Sequence, residues 1–259
     1  MIQLLTSIIF ILLFSSFISS QDRLTDRSIT VIEYLNEING YKINVYWKPE
    51  EINYNYVVGP AIFELYKTND YSIPFILRNN YFALNKSRLP FTYNNDSTEI
   101  ISTNEKIIQL NYHFPQNLFL NGEESDEPFL FEDINFDNNK ELIISEYGNG
   151  QRYVSTYKVY GFEDGILNNE PYQFEPFKSL DGMSSINYAN KSITIHSSGG
   201  WCWGTDEIYT LQLNEYGINT FVLQNIIEEH PSEDSNKCFE LRYDVINGIK
   251  QLISITERK

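Results

Sequence analysis

The sequence predicts a mostly β protein, an antiparallel meander or sandwich of consecutive hairpins. Short runs rich in Ile, Val, Tyr, Phe and Thr alternate apolar with polar residues, and they recur roughly every ten residues. Asn39-Gly40 and Asn247-Gly248 stand between such runs, and both pairs accept the positive φ angles of a two-residue hairpin turn. A helical period is hard to find. Connected hairpins of this kind form a meander, a sandwich or a propeller-like sheet.

The alternating runs define the expected strands. Phe239, Leu241 and Tyr243 alternate with charged residues in one of the clearest runs, so one face of that strand is apolar and the other is charged. This pattern is typical of a sheet that is covered on one side. The predicted strands span residues 28–34, 41–47, 61–66, 74–77, 106–113, 141–145, 153–160, 192–196, 207–213, 219–223, 238–245 and 250–256.

The first 20 residues, MIQLLTSIIFILLFSSFISS, form an apolar run without a charge, and polar residues follow at once. The short apolar centre and the Ser-rich end predict a signal peptide over residues 1–20. An uncleaved membrane anchor is the alternative, because about twenty apolar residues span a bilayer. No later stretch is long and apolar enough to do so. We therefore expect an exported protein, secreted or periplasmic, with no stable membrane span after signal cleavage.

The predicted export bears on the state of the two cysteines of the chain, Cys202 and Cys238. Disulfides form in the oxidising compartments that exported proteins reach, so we predict a bridge between these two residues. The alternative is a pair of free, buried thiols. Two cysteines are too few for a disulfide-dense scaffold or for a zinc site built from cysteines.

The chain is strongly acidic, since 35 Asp and Glu against 19 Lys and Arg give a formal charge of -16 at pH 7. Nucleic-acid binding needs a surface of Lys and Arg that neutralises phosphates, so this class of function is excluded. A disordered acidic chain is excluded as well, because 42% of the residues are hydrophobic. The acidity favours a basic protein partner, although acidic surfaces also serve solubility.

Residues 120–131, LNGEESDEPFLF, concentrate acids with Gly and Pro and are the best candidate for a linker. The hairpin pattern is less regular before this segment than after it. We therefore predict an N-terminal β-rich region over residues 21–120 and a C-terminal β domain over residues 121–259. A single continuous β domain is the alternative at this length.

Residues 133–141, D-I-N-F-D-N-N-K-E, form what we call the acidic loop, in which oxygen-bearing side chains alternate with other residues. Calcium takes six to eight oxygen ligands around a tight turn, and this alternation points oxygens inward between two flanking strands. Asn138 stands where EF-hand loops have Gly, and Asn tolerates the left-handed backbone. The alternative is an ordinary Asx-rich turn. The predicted calcium ligands are Asp133, Asn135, Asp137, Asn139 through its carbonyl, and Glu141.

A family resemblance rests on the order and spacing of several segments. These are F-E-D-I-N-F-D-N-N-K-E-L-I-I, the turn Gly148-Asn149-Gly150, residues 157–160, and N-K-S-I-T-I-H-S-S-G-G. Together they resemble exported bacterial proteins of the FG-GAP or VCBS-repeat type. More narrowly, they are similar to proteins with a fold akin to periplasmic inhibitors of invertebrate-type lysozyme. The similarity covers mainly residues 59–213.

The resemblance implies a function for the segment H-S-S-G-G-W-C-W-G, residues 196–204. In several kinds of lysozyme inhibitor, a loop with Ser, Gly and Tyr enters the enzyme's cleft, where its hydroxyls meet two catalytic carboxylates. Ser198-Gly199 match the start of that pattern, but Trp201 occupies the Tyr position and its indole has a single N–H donor. The alternative is a hairpin turn held by the disulfide. The implied partner-binding residues are Ser197, Ser198, Gly199, Gly200, Trp201, Trp203 and Tyr209.

Catalytic motifs do not stand out, and we expect a non-catalytic protein. The sequence lacks G-x-S-x-G, H-E-x-x-H, a P-loop and G-x-G-x-x-G. His196 lies beside Ser198 without an evident orienting acid, and a glycosidase pair has no recognisable signature among 35 acids.

Carbohydrate binding is a further alternative, in which Trp47, Trp201 and Trp203 would stack on sugar rings. A calcium-stabilised β module could bind carbohydrate or another cell-surface ligand.

Overall fold

The computed structural model describes residues 29–53, 55–68, 70–90, 92–93, 100–102, 107–113, 127–148, 155–163, 165–232 and 237–258. The predicted signal peptide, residues 120–126 of the predicted linker, and residues 149–150 of the quoted turn lie outside them.

The strands are β1 (Thr30–Tyr34), β2 (Tyr41–Trp47), β3 (Glu51–Asn53), β4 (Tyr56–Lys67), β5 (Asp70–Asn85), β6 (Thr92–Tyr93), β7 (Ile100–Ser102), β8 (Ile107–Leu110), β9 (Phe129–Glu132), β10 (Glu141–Glu146), β11 (Thr156–Tyr160), β12 (Phe162–Glu163), β13 (Ile166–Leu167), β14 (Ser185–Asn187), β15 (Ser192–Gly200), β16 (Trp203–Leu213), β17 (Asn219–Pro231), β18 (Cys238–Ile246) and β19 (Ile249–Arg258).

The mostly β fold class is confirmed. Short 3₁₀ turns at Lys86–Arg88 and Phe177–Ser179 are the helical elements of the described residues. No helix in these ranges has the length and apolar character of a membrane crossing. The predicted hairpin turns are present, since Asn39, Gly40, Asn247 and Gly248 all have positive φ. Asn-Gly pairs adopt this conformation with little strain, which fixes where each hairpin reverses.

The first large sheet has the order β3-β4-β2-β1-β8, with β5 paired to the other side of β4. Most neighbours in it are antiparallel, as expected, but β1 and β8 are parallel, with Ile32 opposite Ile108. The expectation of antiparallel neighbours is therefore wrong for this pair. A parallel pair needs a long connection, and the chain between β1 and β8 supplies one. It forms six intervening strands, four of them in this sheet and two, β6 and β7, in a small sheet of their own.

The second large sheet is a run of consecutive antiparallel hairpins, β14-β15-β16-β17-β18-β19. Between the two large sheets in sequence lies the small sheet β11-β10-β9, which carries the acidic loop at the turn from β9 to β10. The turns from β16 to β17 and from β18 to β19 are short, so these strands pack beside their neighbours in sequence.

The largest core is rich in aromatic rings. The alternation in β2 buries Tyr41, Val45 and Trp47 on one face, and Trp47 packs edge-on against Phe82 at a centroid distance of 5.4 Å. Phe129 packs against Phe63 at 5.6 Å in the same core. The core therefore contains residues from both sides of the predicted boundary at 120/121, and Phe129 at the end of the predicted linker is fully buried.

A second core lies on one face of β15 and β16. Ile193, Ile195 and Tyr209 of these strands pack with Ile134 of the acidic loop and with Phe177. The same face of the sheet continues across β17 to β18 and β19, where it is open to solvent in the described part of the chain. The apolar face expected to be covered at residues 238–245 is therefore uncovered there, because no described element packs on it.

Candidate binding loops

The loop of residues 197–203, called the tip loop below, joins β15 to β16. Ser198 pairs with Gly204 and Gly200 pairs with Trp203, so Gly199 is the extra residue of a bulge. Trp201 and the following cysteine then form a two-residue turn at the end of the hairpin. A bulge increases the local twist of a hairpin, which turns its end away from the plane of the sheet.

The predicted disulfide between Cys202 and Cys238 is confirmed. The two Cα atoms are 5.5 Å apart and both side chains are buried. Cys202 has a φ of 59°, so the turn at the tip is left-handed at the residue that carries the bridge. The bridge ties the end of the β15–β16 hairpin to the start of β18, two strands away in the sheet.

Two large aromatic side chains of the tip loop face solvent. Trp201 is 66% exposed and Trp203 is 53% exposed. The Trp203 ring contacts the His230 ring edge-on, with centroids 6.0 Å apart. Ser197 is exposed and Ser198 is partly exposed beside them. The tip loop therefore protrudes and carries apolar rings next to hydroxyl groups, an arrangement that suits contact with another molecule.

The two glycines of the tip loop are favoured for different reasons, one by limited space and the other by backbone conformation. A Cβ atom on Gly199 would lie 3.3 Å from the Cβ of Trp203, which is a tight approach between the two strands. Gly200 has open space around it but a φ of 133°, a backbone conformation that L-residues rarely adopt. Sequence reasoning named both residues, and the structure gives each one a physical reason.

His196 lies next to the tip loop with an acid that sequence reasoning missed. Its Nδ1 is 2.5 Å from Oδ1 of Asp206, directly opposite it on β16. The side chains are part-buried, and the carboxylate holds the imidazole in a fixed orientation. Ten residues separate the two in sequence, so their pairing depends on the register of the hairpin, which the sequence pattern alone does not specify.

Tyr209 and Trp47 lie away from the tip loop. Tyr209 is buried in the second core, and its hydroxyl donates a hydrogen bond of 2.8 Å to Oε2 of Glu207. Burial, together with this carboxylate, raises the pKa of Tyr209 above its ordinary value. Trp47 is fully buried in the first core, so it offers no ring to a sugar. Of the aromatic residues that the sequence assigned to binding, Trp201 and Trp203 are therefore the exposed ones.

The acidic loop connects β9 to β10, the antiparallel hairpin that the sequence predicts around it. Asp133 accepts hydrogen bonds from the backbone N–H of Asp137 at 3.1 Å and of Asn138 at 3.0 Å. Asp137 in turn accepts from the N–H of Asn139 at 2.7 Å. Asn138 has a φ of 71°, the left-handed backbone expected at this position. The loop is thus a compact turn with its oxygens directed inward.

Glu141 closes the acidic loop from the first residue of β10. Its buried carboxylate accepts hydrogen bonds from the N–H of Ile134 at 3.0 Å and from Nδ2 of Asn135 at 2.6 Å. Burial raises the pKa of Glu141 to about 8; the hydrogen bond from Ile134 lowers it, whereas the nearby Asp137 and Asp133 raise it. Removing a carboxylate from water beside two others is unfavourable unless a cation or a proton compensates.

The donor set of the acidic loop can be tested against calcium. Three carboxylates, the Asn135 amide oxygen and the Asn139 carbonyl are hard oxygen ligands, the kind that calcium prefers. In the described ranges, no group of three or more His, Cys, Asp and Glu side chains has the arrangement of a metal site. The carboxylates instead accept hydrogen bonds from within the loop. Calcium binding would replace several of these hydrogen bonds, so it remains a proposal.

A cavity beside the N-terminal sheet was not foreseen from the sequence. It has a volume of about 380 Å³. Ile38 and Phe131 give it an apolar floor, and Glu37 and Lys140 stand at its polar rim. Pockets with an apolar base and a few polar groups are typical of small-molecule sites. The lining comes from four separate parts of the chain: Asn36, Glu37, Ile38, Asn39, Tyr112, Phe131 and Lys140.

Comparisons with known proteins support the fold and not a family. No family model matches the chain, and no curated protein matches it. The chain is similar to a solved structure described as that of a Xanthomonas type IV secretion system related protein. The two chains are 16% identical with a TM-score of 0.57, and the match covers 91% of this chain and 98% of the other. At this identity the likeness shows a shared fold.

Proposed function

We propose that the chain is an exported, non-catalytic binding protein, secreted or periplasmic, that presents the tip loop to a basic protein partner. The most concrete form of this function is inhibition of a lysozyme-like enzyme. The observation that carries the proposal is the exposure of Trp201 and Trp203 on a loop anchored by a disulfide. A secretion-system related neighbour of the same fold is compatible with a binding role.

The tip loop has the physical properties of a binding element. Tryptophan contributes more often than most residues to the energetic centre of interfaces, because its large ring displaces much water. The Cys202–Cys238 bridge already restricts the loop, so binding would lose little additional conformational entropy. Trp201 stands at the end of the hairpin and is 66% exposed, so an approaching surface can reach its ring.

The chemistry of the tip loop suits an enzyme cleft that contains two carboxylates. The hydroxyls of Ser197 and Ser198 and the indole N–H of Trp201 are hydrogen-bond donors, and carboxylates are acceptors. The formal charge of -16 would steer a basic protein toward the chain at low ionic strength. Trp201 replaces the Tyr of the lysozyme-inhibitor pattern, so the aromatic contact would be larger and one hydroxyl fewer would be available.

Binding of the purified protein to c-, g- and i-type lysozymes at low salt tests this function. Calorimetry should detect a complex with at least one class, and lysis of cell walls by that enzyme should slow. Trp201→Ala should weaken binding about tenfold to a hundredfold, as the loss of an interface anchor does. Tyr216→Ala is the matched control, since Tyr216 is 78% exposed in the next turn of the same sheet. Absence of binding to all three classes, or equal loss in both variants, would overturn the proposal.

A calcium-stabilised binding module is the second candidate function. The observation in its favour is the buried carboxylate of Glu141 beside Asp133 and Asp137. Calcium held by these residues, Asn135 and the Asn139 carbonyl would neutralise the charge that burial disfavours. Its ligand would be a carbohydrate or another cell-surface molecule, and the cavity lined by Ile38 and Phe131 is one place for a sugar. A glycan array distinguishes this candidate, because the first function predicts no glycan binding.

A further inference from the structure

The cavity beside the N-terminal sheet has an apolar and rigid floor. Ile38 and Phe131 are buried and line this volume of about 380 Å³. The Ile38 backbone pairs with that of Tyr41 in both directions, with N–O distances of 2.9 and 3.0 Å. The Tyr41 ring stacks on Phe131 with an angle of 4° between the planes. The floor is therefore held in one shape before a ligand arrives, which reduces the entropy that binding would lose.

A partly buried tyrosine also lines the cavity. The hydroxyl of Tyr112 donates a hydrogen bond of 3.1 Å to the carbonyl oxygen of Phe129. The two rings pack together with their centroids 5.2 Å apart. Both contacts fix the Tyr112 ring, so the lining combines a rigid aromatic group with the apolar floor. Such surfaces suit the apolar part of a ligand.

Three polar side chains of the turn from β1 to β2 line the same cavity. They belong to Asn36, Glu37 and Asn39, and all three residues are exposed. Among the described residues, none makes a hydrogen bond or an ion pair with these side chains. The backbone of Asn39 is fixed in the hairpin turn with a φ of 50°. Two amides and a carboxylate are therefore left to bind a ligand, the amides as donors and acceptors and the carboxylate as an acceptor.

The charges of the lining favour a neutral ligand. Glu37 and Lys140 both line the cavity and carry opposite charges, so the lining has no net charge. An anion would in addition meet the field of a chain whose formal charge is -16. The lining thus matches a neutral molecule that combines hydroxyl or amide groups with a small apolar part.

We infer that the cavity binds an N-acetylated amino sugar. The acetamido group has one N–H donor and one carbonyl acceptor, which suit the amides of Asn36 and Asn39, and its methyl group suits the floor of Ile38 and Phe131. The sugar hydroxyls can donate to the carboxylate of Glu37. A volume of about 380 Å³ accommodates one sugar ring with its substituents. The inference rests on the second candidate function for the carbohydrate class of the ligand, but it requires neither calcium nor the tip loop.

Three sugars that differ in one ring substituent test the inference. N-acetylglucosamine carries an acetamido group where glucose has a hydroxyl and glucosamine has an ammonium. Each is titrated into the purified protein by calorimetry up to about 50 mM, because single sugars bind with dissociation constants of about 0.1 to 10 mM. N-acetylglucosamine should bind about tenfold more tightly than the other two, since its acetamido group adds hydrogen bonds and buries a methyl group. Equal binding of the three sugars, or no binding of N-acetylglucosamine, would overturn the inference.

Substitutions in the turn locate the sugar. Asn36→Ala and Glu37→Ala should each weaken binding of N-acetylglucosamine about threefold to tenfold, because each removes a hydrogen-bonding group. Both residues are exposed, so neither change should alter the melting temperature. Glu215→Ala is the matched control, since Glu215 is an exposed acid in the β16–β17 turn and does not line the cavity. An equal loss of affinity in the control would contradict the assignment to the cavity.

Two further measurements separate the inference from the proposed functions. Trp201→Ala should bind N-acetylglucosamine as tightly as the wild type, and a loss of binding in this variant would place the sugar on the tip loop and overturn the inference. Binding that persists in EDTA would support the cavity without calcium. A protein that binds larger glycans on an array but not N-acetylglucosamine would overturn the inference and leave the second candidate function standing.

Discussion

The hydroxyl of Tyr34 donates a buried hydrogen bond of 3.1 Å to Oε2 of Glu127, across 93 positions of sequence. The other oxygen of Glu127 lies 2.7 Å from Nη1 of Arg88 and accepts the backbone N–H of His113 at 2.8 Å. One carboxylate thus joins β1, the end of the β8 segment, the 3₁₀ turn after β5 and the segment that enters β9.

Replacing Arg88 should destabilise the protein in a pH-dependent way. Burial raises the pKa of Glu127 above its ordinary value of 4.5, while the hydrogen bond from His113 and the Arg88 charge lower it. A carboxyl whose folded-state pKa is raised contributes stability below its unfolded pKa and loses that contribution as the pH rises through the folded value. Arg88→Met removes a lowering influence, so its loss of stability should grow from pH 4 to pH 7 and reach about 3 to 5 kcal/mol.

Urea denaturation at several pH values measures this effect. Lys48→Met is the control, because the Lys48–Glu50 ion pair has a carboxylate that is 45% exposed. Its removal should change the free energy of unfolding by less than about 1 kcal/mol at either pH. A pH-independent loss in Arg88→Met would show that packing and not the Glu127 charge is responsible.

Removing the disulfide should lower stability and loosen the tip loop. The bridge closes a segment of 36 residues, and the entropy of such a loop in the unfolded chain corresponds to about 3 to 4 kcal/mol. The Cys202→Ser/Cys238→Ser double variant should show this loss in urea denaturation. Reductant should destabilise the wild type by a similar amount and leave the double variant unchanged; an unchanged wild type would contradict the prediction.

Calcium should raise the melting temperature if the acidic loop binds it. An ion at a hundred times its dissociation constant stabilises the folded state by about 2.7 kcal/mol. Calorimetric scans in EDTA and in millimolar calcium should therefore differ, and Asp137→Asn should remove most of the difference. Asp181→Asn is the control, since Asp181 accepts the N–H of Met183 in a separate turn. Equal wild-type melting temperatures in the two solutions would rule out the calcium site.

Gly59→Ala should be among the more damaging single substitutions. A Cβ atom there would lie 2.0 Å from the carbonyl oxygen of Lys48 and 3.0 Å from the backbone N of Glu50, and backbone atoms cannot move aside cheaply. We expect a loss of about 3 kcal/mol in the free energy of unfolding. Gly199→Ala meets a side chain at 3.3 Å and should lose about 1 kcal/mol or less. Similar losses in the two variants would contradict this reasoning.

Local pattern predicted several elements well. The expected strand 41–47 coincides with β2, because its alternation is unbroken and its turn begins at Asn39-Gly40. The expected strand 219–223 is the start of β17, which continues to Pro231. Its second half carries Gln224, Asn225 and Glu228, which break the alternation, and it is held in a strand by pairing with β16 and β18.

The sequence by itself determined the β class, the positions of the hairpin turns, the cysteine pair and the residues of the tip and acidic loops. These features depend on backbone preferences and on side-chain period within short segments. The tertiary structure decided the parallel pairing of β1 with β8, the contact of His196 with Asp206, and the burial of Tyr209. It also decided that the apolar face of β18 and β19 is uncovered among the residues that the structure describes. Each of these depends on which segments meet or on the register in which they pair, and a local pattern of residues does not contain that information.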